Sequence, residues 1–263
     1  MRVILLTHGG AELVLERLAA LDNVEVVGVF VETVTTPRRG TFEKIRRSLK
    51  YDGLFGTVGK LFPKKGDLSV GDGDRSIETA RNLGFPVFET ENFHSQTSID
   101  LMRAAKPDLG VIFGTNIIKE NVFSIPKLGS INIHQGLAPY YRGGPPIFWE
   151  IFNAENEVGI TVHFVAAKVD TGDIILQKTV PLEYGFAFGA KFEAFIANFL
   201  SGLREESANL VAESVKLIAG GSVPRKPQDT SLGKRYRLPV KKEKDEMRRR
   251  LRQRIKRGEN AKG

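Results

Sequence analysis

Two apolar, β-branched runs, 2–7 and 24–31, open the chain, and between them apolar residues recur at helical spacing over 11–21. A strand, a helix and a strand in that order predict a parallel sheet with right-handed crossovers. Thr, Pro, Gly and charge interrupt the pattern over 33–75, which reads as an insertion with one basic helix at 42–49. Regularity then resumes with helix 76–83, strand 86–89, helix 97–105, the buried strand 109–113 and a short strand 130–134. Beyond a loop rich in Gly and Pro, helix 147–153 precedes strands 159–165 and 174–181, and a long helix 190–219 closes the domain. Residues 220–239 read as a surface linker. Residues 244–257 carry Met247, Leu251 and Ile255 at a spacing of four in an otherwise charged run, a thin amphipathic helix at most. The fold expected is α/β, with a mostly parallel central sheet flanked by helices. Its domain covers 1–219, including the insertion, and 220–263 add a linker and a short basic tail.

Within strand 130–134 side chains alternate, so Asn132 and His134 share one face while Ile131 and Ile133 take the other. The loop that follows is too rich in Gly and Pro to continue the strand, which places both polar groups where a strand ends. In open α/β sheets that is the usual ligand crevice. The acidic turn Asp170-Thr171-Gly172-Asp173, between two later strands, can bring a carboxylate to the same cleft.

Composition narrows the chemistry. The chain has 263 residues, 41% of them hydrophobic, enough for a full core. Cys is absent, which excludes disulfides, thiolate metal sites and a cysteine nucleophile, and fits a reducing cytoplasm. No apolar run is long enough for a signal peptide or a membrane span, so a cytoplasmic protein is expected. The net charge of +8 is unevenly placed. Residues 234–263 hold 14 Lys and Arg against 4 Asp and Glu, and 37–65 hold 9 basic residues against Glu43 and Asp52. The rest of the body is therefore acidic, and the two basic segments are where a polyanion would be met. No two histidines have ligand-like helical spacing, so no metal is expected.

An amide, an imidazole and a carboxylate, with no serine elbow, suit attack by an external nucleophile on a carbonyl. Asn132 and a protonated His134 can donate to an oxyanion, and a nearby Asp170 would raise the imidazole pKa by favouring its charged form.

Over roughly 2–182, and least in 33–75, the sequence resembles the 10-formyltetrahydrofolate-dependent formyltransferases. The likeness rests on Asn132-Ile133-His134, on loop 136–144 beside the family's S-L-L-P-x-Y-R-G, and on Gly159-Ile-Thr-Val-His-Phe leading to Val169-Asp170-Thr-Gly-Asp173-Ile-Ile-Leu. It implies a Rossmann-like catalytic domain with Asn132, His134 and Asp170 in the catalytic positions. It also implies a cleft for 10-formyltetrahydrofolate as formyl donor, bounded by Phe113, Gly114, Ile117 and Ile118 and by the backbone around Val165, Ala166 and Val169. Gly136, Pro139, Arg142 and Gly143 fall on the acceptor side in the loop. The activity implied is transfer of a formyl group to the primary amine of a phosphate-bearing acceptor.

The acceptor is read from departures. Branches acting on glycinamide ribonucleotide carry a Gly, Ser and Asn phosphate loop after the first strand, where this chain has Thr7-His8-Gly9-Gly10-Ala11-Glu12, and Glu12 would oppose a phosphate. Methionyl-tRNA formyltransferases add an OB-fold, for which the residues after Gly220 are too few. A tRNA acceptor, the leading expectation, would then be held by 37–65 and 234–263. Amino-sugar nucleotides are the alternative, and an RNA-binding protein with a catalytically weak formyltransferase fold is the reading from another class. Taken one at a time, the residues have plainer roles too. Arg142 is read equally as an acceptor contact or as a loop anchor for carbonyls, His163 equally as lining or supporting the cleft, and His8 and His94 as ordinary loop residues.

Overall fold

A computed structural model describes residues 1–33, 72–145, 147–182 and 192–257. The basic helix expected at 42–49, and nearly all of the insertion, lie outside the described residues.

The opening strand β1 (Arg2–Thr7) is buried on both faces, and its alternation divides the core. Val3 and Leu5 pack on one side with Val14, Leu15 and Leu18 of α1 (Glu12–Ala19) and with Leu203, Val211 and Val215 of the long helix α6 (Phe192–Ala219). Ile4 and Leu6 face the other way, against Phe30, Phe93, Met102 and Val122. Fully burying such side chains contributes about 1.5–3 kcal/mol each. Helices therefore cover both faces of the sheet, as the apolar runs required.

Seven strands form this sheet in the order β3-β2-β1-β4-β5-β7-β8. After β2 (Glu25–Glu32), helix α2 (Asp72–Asn82) leads to β3 (Val87–Thr90), and α3 (Gln96–Ala104) crosses back to β4 (Leu109–Phe113). A short helix α4 (Glu120–Phe123) precedes β5 (Ser130–His134). All pairings up to β5 are parallel, whereas β7 (Glu157–Phe164) and β8 (Ile174–Pro181) run antiparallel. The sheet is thus mostly parallel and flanked by helices, as expected. Since β2 and β3 lie on one side of β1 and β4 and β5 on the other, the carboxyl ends of β1 and β4 mark a topological switch point.

Loop 136–144 ends in a two-residue strand β6 (Tyr141–Arg142), and α5 (Phe148–Phe152) follows. The segment expected as a linker lies along the domain and pairs with it: β9 (Lys234–Arg235) is parallel to β6, and Lys226 bridges Ile174. The tail then forms α7 (Lys241–Arg257), three residues longer at its start than the spacing predicts. Met247 and Leu251 are buried, and Arg250 lies over the Phe152 ring. No helix among the described residues is long and apolar enough to cross a membrane.

Candidate active site

At the carboxyl ends of β1, β4 and β5 a cleft of about 490 Å³ opens. Asn132 and His134 reach it from the same face of β5, as alternation predicts. Asp170 comes from the turn between β7 and β8, with its backbone in the left-handed region at φ 51°. Asp tolerates that region better than most residues, and a strained position beside a cleft is where function is commonly found. Gly172, two residues on, packs so closely on the Phe164 carbonyl that a Cβ there would collide with it.

The Asp170 carboxylate lies between two imidazoles. His134 Nδ1 is 3.5 Å from Oδ2, and His163 Nε2 is 3.5 Å from Oδ1. The Gly143 backbone N–H donates to Oδ2 at 2.8 Å. Burial alone would raise the Asp170 pKa, but the His163 contact, the two imidazoles and the Gly143 N–H outweigh it and hold it at about 2. The carboxylate is therefore ionised at neutral pH.

His134 donates from Nε2 to the Tyr141 carbonyl, which fixes the proton on that nitrogen and leaves Nδ1 facing Asp170. The expectation that Asp170 would raise the imidazole pKa is met only in part. Burial is the larger influence and lowers it, Asp170 and the Tyr141 carbonyl raise it, and His163 lowers it slightly, so the net shift is downward. The resting His134 is neutral and carries a lone pair at Nδ1. A Cβ on Gly136 would fall on this ring and 2.7 Å from the Tyr141 carbonyl, so the glycine is what lets loop 136–144 close behind the imidazole.

His163 is the residue that sequence reasoning left undecided. Antiparallel pairing sets it directly opposite Asn132, and the Asn132 Nδ2 lies 3.4 Å from His163 Nε2. Its Nδ1 donates to the Phe164 carbonyl at 2.7 Å, so its Nε2 is the nitrogen turned to Asn132 and Asp170. The signal was present in the alternation of Gly159-Ile-Thr-Val-His-Phe, but only strand register reveals the partner.

Of the positions assigned to the donor, Phe113, Gly114, Ile117, Ile118, Val165, Ala166 and Val169 all line the cleft. The volume of the cleft is in the range of small-molecule sites. Of the loop residues, Gly143 lines it, while Gly136, Pro139 and Arg142 stand behind it. Arg142 is 9% exposed and its guanidinium donates to the Pro139, Thr230 and Gly233 carbonyls. Of its two sequence readings, this geometry matches the loop anchor rather than an acceptor contact.

The segment after α6 braces both loops that border the cleft. Tyr236 N–H donates to the Arg142 carbonyl at 2.7 Å, Trp149 Nε1 to the Arg237 carbonyl at 2.9 Å, and Gln228 Nε2 to the Gly172 carbonyl at 2.6 Å. Gly9 and Gly10 after β1, read only as standing in place of a phosphate loop, and Lys168 within the segment assigned to the cleft backbone line the cleft; sequence reasoning missed Gln135 and Arg204 on α6, which line it too. At α1 the backbone N–H of Ala11 donates to Ser76 Oγ, whose hydroxyl donates to Glu12.

Comparison with known proteins agrees with this architecture. A family model described as formyl transferase matches residues 1–185. A methionyl-tRNA formyltransferase of Chlorobium limicola is 36% identical over 155 residues, 59% of this chain and 46% of that protein. Another, of Chlorobium chlorochromatii, is 30% identical over 185 residues, 70% of this chain and 56% of that one. The chain thus spans about half the length of the curated relatives it matches. Among solved structures, a sugar N-formyltransferase from a Shewanella species superposes with a TM-score of 0.58 at 14% identity, covering 95% of this chain and 87% of its own. Glycinamide ribonucleotide transformylase 1 from Symbiobacterium toebii gives 0.56 at 20%, covering 87% and 93%. The two structures share the fold, and the chain belongs to the formyl transferase family.

Proposed function

We propose that this protein moves a formyl group from 10-formyltetrahydrofolate to the primary amine of an anionic acceptor, with the aminoacyl end of a methionyl-tRNA as the leading candidate. The observation that carries this reading is the ionised Asp170 held between His134 and His163, with the Asn132 amide on the same strand face.

In this reading the acceptor amine must be neutral to attack the formyl carbon. An α-amino group, with a pKa of about 8 or below, supplies that form readily, whereas a lysine-like amine at about 10.4 does not. As the carbon–nitrogen bond forms, charge develops on the formyl oxygen, and the Asn132 Nδ2 donates to it. The proton leaving the amine passes to the His134 Nδ1, whose imidazolium is stabilised by Asp170, and from there to the folate nitrogen as its bond to carbon breaks. His134 serves the oxyanion only after taking this proton. His163 and the Gly143 N–H keep the Asp170 carboxylate in place.

The tRNA acceptor is favoured by the relatives' names and by the exposed basic residues of α7, among them Arg248 and Arg252. Amino-sugar nucleotides remain the alternative. Glycinamide ribonucleotide is disfavoured because Ser76 and Glu12 already occupy the start of α1, where a phosphate would sit. The test is to incubate the protein and donor with initiator methionyl-tRNA, glycinamide ribonucleotide and a set of amino-sugar nucleotides, and to find by mass spectrometry which amine gains the mass of CO. A tRNA acceptor also predicts salt-sensitive binding that weakens when Arg248 and Arg252 are changed to Glu. Formylation of a sugar nucleotide alone, indifferent to salt, would replace the tRNA assignment.

A further inference from the structure

Behind loop 136–144, on the side away from the catalytic cleft, lies a second cavity of about 520 Å³. It shares no lining residue with the cleft. Three tyrosines, Tyr140, Tyr141 and Tyr236, and three carboxylates, Glu150, Glu155 and Glu157, form much of its wall. Tyr141 and Tyr236 stack with ring centroids 5.2 Å apart, and Tyr140 is 46% exposed.

Glu150 is the member that demands an explanation. It is 3% exposed, and among the described residues its carboxyl meets only its own backbone N–H. Burial first, and then the nearby Glu155 carboxylate, push its pKa up to about 7. Ionising a carboxyl this buried is costly, and a cation in the cavity would offset that cost. Lys234 is the one cation among the described lining residues, and its Nζ lies 4.8 Å over the Tyr236 ring. The cavity thus joins carboxylates to aromatic faces, the pairing that holds organic cations.

We propose that this cavity binds a small organic cation, its ammonium or guanidinium group seated on Glu150 and its carbon skeleton against the tyrosine rings. This site is independent of the formyl-transfer reading. A small void of about 10 Å³ lies between the two, lined by His134, Gln135 and Gly144 of the cleft and by Tyr141 and Glu150 of the cavity. Since the Tyr141 carbonyl tethers His134, a ligand seated here bears on the loop that sets the imidazole.

Trp149 provides the assay. It is the only Trp of the chain and its ring lies 5.1 Å from that of Tyr236, so its fluorescence reports on this wall. The intact protein is titrated with benzylammonium, with putrescine, and with benzyl alcohol as the neutral match of benzylammonium. Saturable changes with both cations, at least tenfold tighter for benzylammonium than for the alcohol, are expected. Glu150→Gln should remove that preference, and the exposed wall variants Tyr140→Ala and Glu157→Gln should weaken benzylammonium several-fold and carry the test if Glu150→Gln fails to fold. Equal binding of amine and alcohol, no saturable response to either cation, or undiminished benzylammonium binding in the folded variants would overturn the proposal.

Discussion

Replacing Arg142 with Met separates the anchor from the acceptor contact. The substitution keeps the length of the side chain and removes the donors that meet the Pro139, Thr230 and Gly233 carbonyls at 3.1, 3.2 and 3.4 Å. Thr230 is exposed and Gly233 partly so, and both can turn to water, whereas Pro139 is buried and its carbonyl is left unpaired. An unsatisfied buried acceptor costs about 1–3 kcal/mol, partly offset because a buried charge is also removed, so the net loss is about 2 kcal/mol. For a domain of this size that lowers Tm by roughly 4–8 °C, measured by differential scanning calorimetry. The loop that Arg142 holds also carries Gly143, whose N–H fixes Asp170, so kcat should fall while the acceptor KM changes little. An unchanged Tm together with a large rise in acceptor KM would refute this reasoning and make Arg142 a contact to the acceptor's phosphate.

Further outcomes follow from the same geometry. Gly136→Ala should displace the His134 ring and reduce turnover by about a hundredfold, the scale of a misplacement of roughly 1 Å, with circular dichroism confirming the fold. Acid should destabilise the protein through two groups. The lowered pKa of His134 removes stability as pH falls below the ordinary imidazole value of 6.5. Asp170, held at about 2 against its ordinary 3.8, contributes about 2 kcal/mol that is present above 3.8 and lost as pH falls toward 2. In denaturant titrations the stability gap between wild type and Asp170→Asn should therefore narrow by about that amount between pH 5 and pH 2, and a constant gap would contradict the assignment. Leu251→Ala should cost about 2–5 kcal/mol in the same titrations, since Leu251 is fully buried, and no loss would show that α7 is not part of the core.

Most of the sheet was legible because buried strands announce themselves: Val3, Ile4, Leu5 and Leu6 are apolar on both faces, and β4 reads the same way. The strand of Asn132 and His134 was equally clear, since alternation alone puts them on one face. Elements held by tertiary contact were not. β6 and β9 are two residues each, too short for any period, and become strands because Arg142 and Tyr236 meet across the domain. The start of α7 at Lys241 was hidden for a related reason: Met247 and Leu251 give a thin apolar stripe that only α5 turns into a buried face. At the site, His163 needed the β5–β7 register and Arg204 needed the path of α6, neither of which is written locally. The protonation of His134 was misjudged in part because charge proximity is readable from motifs and burial is not.

The central claim is that the Asn132, His134 and Asp170 constellation performs formyl transfer, and it is tested most directly by single-turnover assays with 10-formyltetrahydrofolate and whichever acceptor the mass-spectrometric screen identifies. His134→Ala and Asn132→Ala should each bind the donor nearly as well as wild type in equilibrium titrations. Both should lose transfer by at least about a hundredfold, the scale of a positioned base or oxyanion donor. Retained single-turnover rates in either variant, with donor binding intact, would contradict the account.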